Sequence, residues 1–148
     1  MQILTIQGRL AGLNEYTGAC RGSARGGGRM KKANQEEIEI CIRQQGIKHV
    51  EGCIDIGFAW FEPNMKRDKD NVSAFGRKVI LDSLVECGVL DGDGWKHVGN
   101  ISDEFFVDAA NPRIEVWIFE RRASAWNETA EPTLQDFRGL LLGRKLGL

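Results

Sequence analysis

A chain of 148 residues, 42% hydrophobic and 28% charged with a formal net charge of −1, suits one domain around a single core, since domains most often hold about 100–150 residues. No run approaches the roughly 20 apolar residues that span a bilayer, and the start MQILTIQGRL lacks the basic and long apolar regions of a leader, so the expectation is a cytoplasmic protein with no membrane partner. The near-neutral sum hides an asymmetry: residues 1–34 carry six cations against Glu15, a local charge of +5 that leaves −6 for the remainder.

In chain order, QILTIQGRL reads as a first strand. Residues 16–33, which open YTGACRGSARGGGRMKK, are rich in glycine and poor in large apolar side chains, and predict a flexible basic loop. Asn34 with Glu37 predicts a capping pair for a short helix that carries Ile38, Cys41 and Ile42 and ends at Gly46. In GCIDIGFAWFEP, Ile54, Ile56, Phe58 and Trp60 alternate, the pattern of a strand burying one face, and Pro63 stops it. Val72, Phe75, Val79, Ile80, Leu84 and Cys87 recur at helical spacing before Gly88, which predicts a central helix over 72–87. VLDGDGWKHVG predicts a turn, and EFFVDAANPRIEVWIF two strands joined around Asn111 and Pro112. The tail reads as poor in structure until Thr133, where Thr133 and Asp136 cap an amphipathic helix near 133–142 bearing Leu134, Phe137, Leu140 and Leu141.

Cys20, Cys41, Cys53 and Cys87 form no C-x-x-C pair and have only His49 and His97 beside them, which argues against zinc and for reduced, mostly buried thiols. The glycines of GSARGGGRMKK lack the spacing of a P-loop, so no nucleotide cofactor is implied. The segment KRDKDNV, residues 66–72, sets Asp68 and Asp70 one residue apart among three cations. A calcium-loop reading fails, because Val72, Ser73 and Val79 fall where a ligand, a glycine and a glutamate are required. What remains is a magnesium site: carboxylates at i and i+2 of an extended segment share a face, a divalent ion relieves their repulsion, and Asp93 in the following turn offers a third oxygen donor. The competing reading is a solvated helix start capped by Asp70 or Asn71, with DGDG a plain turn.

WFEPNMKRDKDNV followed by KVILDSLVECGVLDGDGWKHV resembles the RusA family of crossover-junction endodeoxyribonucleases, phage and prophage enzymes that resolve four-way DNA junctions. The likeness spans roughly residues 54–120, with a weaker echo in GRLAGLNEY. It implies a mixed α/β (α+β) fold acting as a homodimer on branched DNA, metal-binding aspartates at Asp68, Asp70 and Asp93, a catalytic lysine at Lys78, and magnesium as cofactor with manganese as a substitute. Lys78 is placed by its spacing to Asp82 and Leu84, because the segment VSAFGR between Asn71 and Lys78 is about four residues longer than the shortest family pattern. Asp91 competes with Asp93 and stands out of register with the motif. Lys66, Arg67 and Lys69 are then candidates for phosphate contact, as are Arg21, Arg25, Arg29, Lys31 and Lys32 of the basic segment, and Asn71 supports the acidic loop. The other function in play is a non-catalytic DNA-binding or recombination-accessory protein of the same fold. A third is a partner-docking module that uses the last helix.

Overall fold

A computed structural model describes residues 1–121 and 132–147 of the chain. Strand β1 (Gln2–Gln7) leads into helices α1 (Leu13–Gly22) and α2 (Gly26–Gln44), then β2 (Ile54–Glu62), α3 (Lys69–Glu86), β3 (Val98–Val107), β4 (Arg113–Glu120), a single 3₁₀ turn at Leu134–Asp136 and α4 (Phe137–Lys145). The four strands form one mixed sheet in the order β1-β4-β2-β3. β4 is antiparallel to both β1 and β2, whereas β2 and β3 run parallel and are joined by α3. The expected α+β class is observed.

The glycine-rich stretch is not a loop. It folds as most of α1 and the first turns of α2, separated only by residues 23–25. Glycine weakens an isolated helix by about 1 kcal/mol, but here it permits two helices to touch. A Cβ on Gly26 would collide with the Ala19 carbonyl, and one on Gly27 with the Cys20 sulfur. The expected cap at Asn34 is corrected too. Asn34 lies inside α2, where its amide donates to the Met30 carbonyl at 2.8 Å and accepts the Ala11 N–H at 3.1 Å.

One face of the sheet carries α1, α2 and α3. Leu4 and Ile6 of β1, Ile54, Ile56, Phe58 and Trp60 of β2, and Ile114, Val116 and Ile118 of β4 close onto Ile38 and Ile42 of α2 and Val79, Ile80 and Leu84 of α3. β2 does not bury one face only. Its alternate residues Ala59 and Phe61 join Trp117 and Phe119 under Phe137 and Leu141 of α4. Gly57 is small for that reason, since an added Cβ would stand 2.7 Å from the Phe137 ring. The last helix therefore packs on its own sheet, with Thr133 donating from both N–H and hydroxyl to Asp136 at 2.9 Å as the sequence predicts. The structure-poor tail expected before Thr133 lies outside the described residues. Cys20 is exposed and the other three cysteines are half-buried, which corrects the expectation of mostly buried thiols. No described helix is long and apolar enough to cross a membrane.

Candidate active site

The acidic segment closes off the C-terminal end of β2. Glu62, the last residue of that strand, takes Arg67 in a two-pronged pair, Nη2 to Oε1 at 2.7 Å and Nε to Oε2 at 3.1 Å, while Arg67 Nη1 donates to the Leu10 carbonyl at 3.1 Å. Both side chains are largely shielded, 14% and 12% exposed, and Arg9 and Glu15 extend the network at 3.6 and 3.8 Å. Arg67 thus fastens the loop to the chain between β1 and α1 and is not free for a phosphate. Lys66 and Lys69 are exposed, and Lys69 lies over the Phe105 ring at 5.4 Å, beside a 430 Å³ cavity that Asp68 also lines.

α3 starts three residues earlier than its apolar spacing indicates, and this changes the geometry of the aspartates. Asp68 is the extended N-cap residue (φ −64°, ψ 152°), and Asp70 sits in the first helical turn. The two do not lie on one extended segment, so the expectation that they share a strand face fails. A helix start gathers carboxylates because its unpaired N–H groups leave a partial positive charge there. Both carboxylates are exposed, and neither has an ion pair or side-chain hydrogen bond among the described residues.

Asn71 has a defined task. Its Oδ1 accepts the Asn14 N–H at 2.9 Å, capping α1 from the side of α3, and Gly12 leaves room for it: a Cβ there would lie 2.7 Å from that oxygen. The segments GRLAGLNEY and KRDKDNV are thereby tied to each other by Asn71 and by Arg67.

Lys78 and Asp93 meet. Gly88, at φ +70°, turns the chain at the end of α3, Val89 and Leu90 tuck back onto Leu84 through their N–H groups, and the returning strand of chain brings Asp93 Oδ2 to 3.2 Å from Lys78 Nζ. The same ammonium donates to Asp82 Oδ1 at 2.7 Å, and Lys31 of α2 holds Asp82 Oδ2 at 2.6 Å. The Asp82 hydrogen bond, opposed by partial burial and seconded by Asp93, holds Lys78 above its ordinary lysine value. Burial works against the Asp82 charge, yet the hydrogen bonds and charges of Lys31 and Lys78 outweigh it and keep the carboxyl below its ordinary value. Asp91 pairs instead with His49 at 3.0 Å. Between α1, α2 and α3, Tyr16, Phe75, Lys31 and Lys78 border a cavity of 270 Å³ whose floor is the stacked Tyr16–Phe75 pair, 4.5 Å between ring centres.

These groups form a row along α3 rather than one cluster. Lys78 lies eight residues beyond Asp70, about 12 Å along the helix. Among the described residues no three His, Cys, Asp or Glu side chains are placed to share a metal ion. The chain matches no protein-family model and no curated protein. Arg21, Arg25, Arg29 and Lys32 are exposed along the hairpin of α1 and α2, while Lys31 turns inward to Asp82. Asp82 is the site member that the sequence left without a role. Its spacing of i, i+4 to Lys78, the ordinary distance for a helical ion pair, was the available signal.

Proposed function

We propose that the protein is a magnesium-dependent endonuclease that binds four-way DNA junctions and resolves them by paired phosphodiester cleavage. The observation that carries the reading is the pair of carboxylates, Asp68 and Asp70, unengaged among the described residues, at the start of the helix whose flank also presents Lys78, with an exposed basic helical hairpin packed beside it.

The donor set fits magnesium through Asp68 and Asp70, because this ion takes one or two carboxylates and completes its shell with water and phosphate oxygens. Asp93, as arranged, is committed to Lys78 and joins that set only if their ion pair opens. Magnesium supplies a polarised phosphodiester and an activated water at such a site. The chain's own groups do the rest. Lys78, held charged by Asp82 and Asp93, offsets negative charge on the reacting phosphate or the leaving oxygen. Lys66 and Lys69 neutralise neighbouring phosphates, and Arg21, Arg25, Arg29 and Lys32 hold a DNA arm against the hairpin. A four-way junction is two-fold symmetric, so a homodimer with two identical sites matches the paired cuts.

A non-catalytic DNA-binding protein of the same fold is the second reading, favoured by the failure of three acidic side chains to converge among the described residues. One experiment separates them: a synthetic four-way junction incubated with and without magnesium. The expected outcome is metal-dependent cutting by the wild-type protein, a loss of at least about a hundredfold in Asp70→Asn, and junction binding that survives or tightens in that variant. Binding without cutting under every metal condition selects the second reading, and Asp70→Asn cutting at the wild-type rate removes the metal role of that residue.

A further inference from the structure

We infer that Asp82 is a positioning residue of this site: one shielded carboxylate holds the ammonium groups of Lys78 and Lys31 as a pair on the wall of the cleft between α1, α2 and α3, and so fixes where Lys78 meets a DNA phosphate.

Each oxygen of Asp82 has its own lysine, Oδ1 with Lys78 at 2.7 Å and Oδ2 with Lys31 at 2.6 Å. The carboxylate is the fixed point. Its side chain is 17% exposed, and its helix is anchored on both sides of it by Val79, Ile80, Ser83 and Leu84, all 0% exposed, whereas the Lys78 side chain is 58% exposed. A lysine carries its charge on a flexible four-carbon stem and does not aim itself. Three further groups surround the pair: Asp93 at 3.2 Å from Lys78, and the Tyr16 and Phe75 rings that floor the 270 Å³ cavity both lysines border. An ammonium has three N–H donors, so Lys78 keeps its bonds to Asp82 and Asp93 and still offers one hydrogen bond to an incoming phosphate oxygen. The inward turn of Lys31 has the same explanation. Lys31 braces the second oxygen of Asp82 and is distinct from the outward-facing cations of the hairpin.

Since this role presupposes the nuclease proposed above, the test carries one readout that needs no cleavage. Single-turnover cutting of a synthetic four-way junction in magnesium is compared for wild type, Asp82→Asn, Asp82→Glu, Lys78→Met and the double variants, with junction binding measured separately without metal. Asp82→Asn should cut at least about tenfold more slowly with Kd within about twofold of wild type, Asp82→Glu should recover most of the rate, and neither change should slow the Lys78→Met protein further. Equal losses in the wild-type and Lys78→Met backgrounds, or an Asp82→Asn protein that cuts normally, overturn the inference. If Asp82→Asn does not fold, Asp82→Glu serves in its place: its extra methylene displaces Lys78, so a loss of about threefold confined to proteins that retain Lys78 is expected, and the same loss without Lys78 overturns it. The independent readout is the ¹³C spectrum of the reductively methylated lysines, in which the Lys78 signal should move in the Asp82 variant toward the positions of the exposed lysines. An unmoved signal overturns the inference even if no branched DNA is cut, and a moved signal with no cutting by wild type removes the nuclease reading while leaving the hold of Asp82 on Lys78 in place.

Discussion

Gly12 and Asn71 form a testable unit because each makes room for the other. Replacing Gly12 by alanine introduces a Cβ that would stand 2.7 Å from Asn71 Oδ1, 3.2 Å from its Cγ and 3.1 Å from its backbone oxygen. Gly12 has φ −84°, an angle alanine adopts freely, so the entire cost is this collision and not backbone strain. Overpacking of this kind costs about 1–3 kcal/mol, partly offset by the roughly 0.4–1 kcal/mol that alanine gains over glycine through the unfolded chain. Asn71→Ala removes the cap on the Asn14 N–H, an exposed bond that water replaces, at a cost near the low end of the capping range, about 0.5–1 kcal/mol. The two nearest side-chain contacts vanish in the double variant, and only the 3.1 Å backbone contact remains. Gly12→Ala should therefore cost about 1–2 kcal/mol in the wild type and under about 0.5 kcal/mol in the Asn71→Ala background, a coupling of about 1 kcal/mol, read as a Tm difference of about 2–4 °C. Urea unfolding of the four proteins measures it. Costs that add to within about 0.3 kcal/mol would show that Gly12 and Asn71 do not constrain each other.

Changing Arg21, Arg25, Arg29 and Lys32 to glutamine, which keeps the helices, should flatten the log–log salt dependence of junction binding by roughly 0.9 for each lost phosphate contact; an unchanged slope in anisotropy titrations means the hairpin does not touch DNA. Mixing Asp70→Asn with Asp93→Asn protein distinguishes two arrangements: sites built within one protomer leave mixed dimers inactive, whereas sites shared across a dimer restore nicking of one strand on a junction gel. Since Lys31 and Lys78 hold the Asp82 carboxyl below its unfolded value of about 3.9, the stability it contributes is complete above about pH 4 and fades as the pH falls through the folded value. The gap between wild type and Asp82→Asn in urea midpoint should accordingly narrow below pH 4, and a gap that is constant or widens in acid contradicts that assignment.

Periodicity made β2, α3 and β4 legible, because each carries a dense row of large apolar side chains on a fixed repeat, whereas β3, mostly half-buried, was legible only from Glu104 onward. It missed the helical hairpin for a definite reason. Met30, Asn34, Ile38 and Ile42 recur at i+4 through α2, yet the first turns hold glycines whose value lies in contacts with Ala19 and Cys20, which no local propensity registers. The second buried face of β2 was hidden in the same way, since Ala59 and Phe61 are covered by a helix about 75 residues further on. Within the site, residue identities were readable and their state of engagement was not. Arg67 read as a free cation among others until Glu62 was placed opposite it, and Asp82 read as a spacer until Lys31, on another helix, closed on its second oxygen.

The strand order has a consequence for how the chain is made. β4 lies at the centre of the sheet, between β1 and β2, and supplies the partners of both Gln2–Gln7 and Ile54–Phe61. Leu4 faces Val116 across that ladder, so the first strand waits for a partner more than a hundred residues downstream. At about 5–20 residues per second, a ribosome takes roughly 6–24 s to move from the first strand to the end of β4. During that interval the nascent chain holds two of its apolar strands without their central neighbour. Such long-range pairing is slow to nucleate and exposes sticky edges meanwhile. No fragment ending before residue 113 can complete this sheet, because β4, Arg113–Glu120, is the strand that joins β1 to β2.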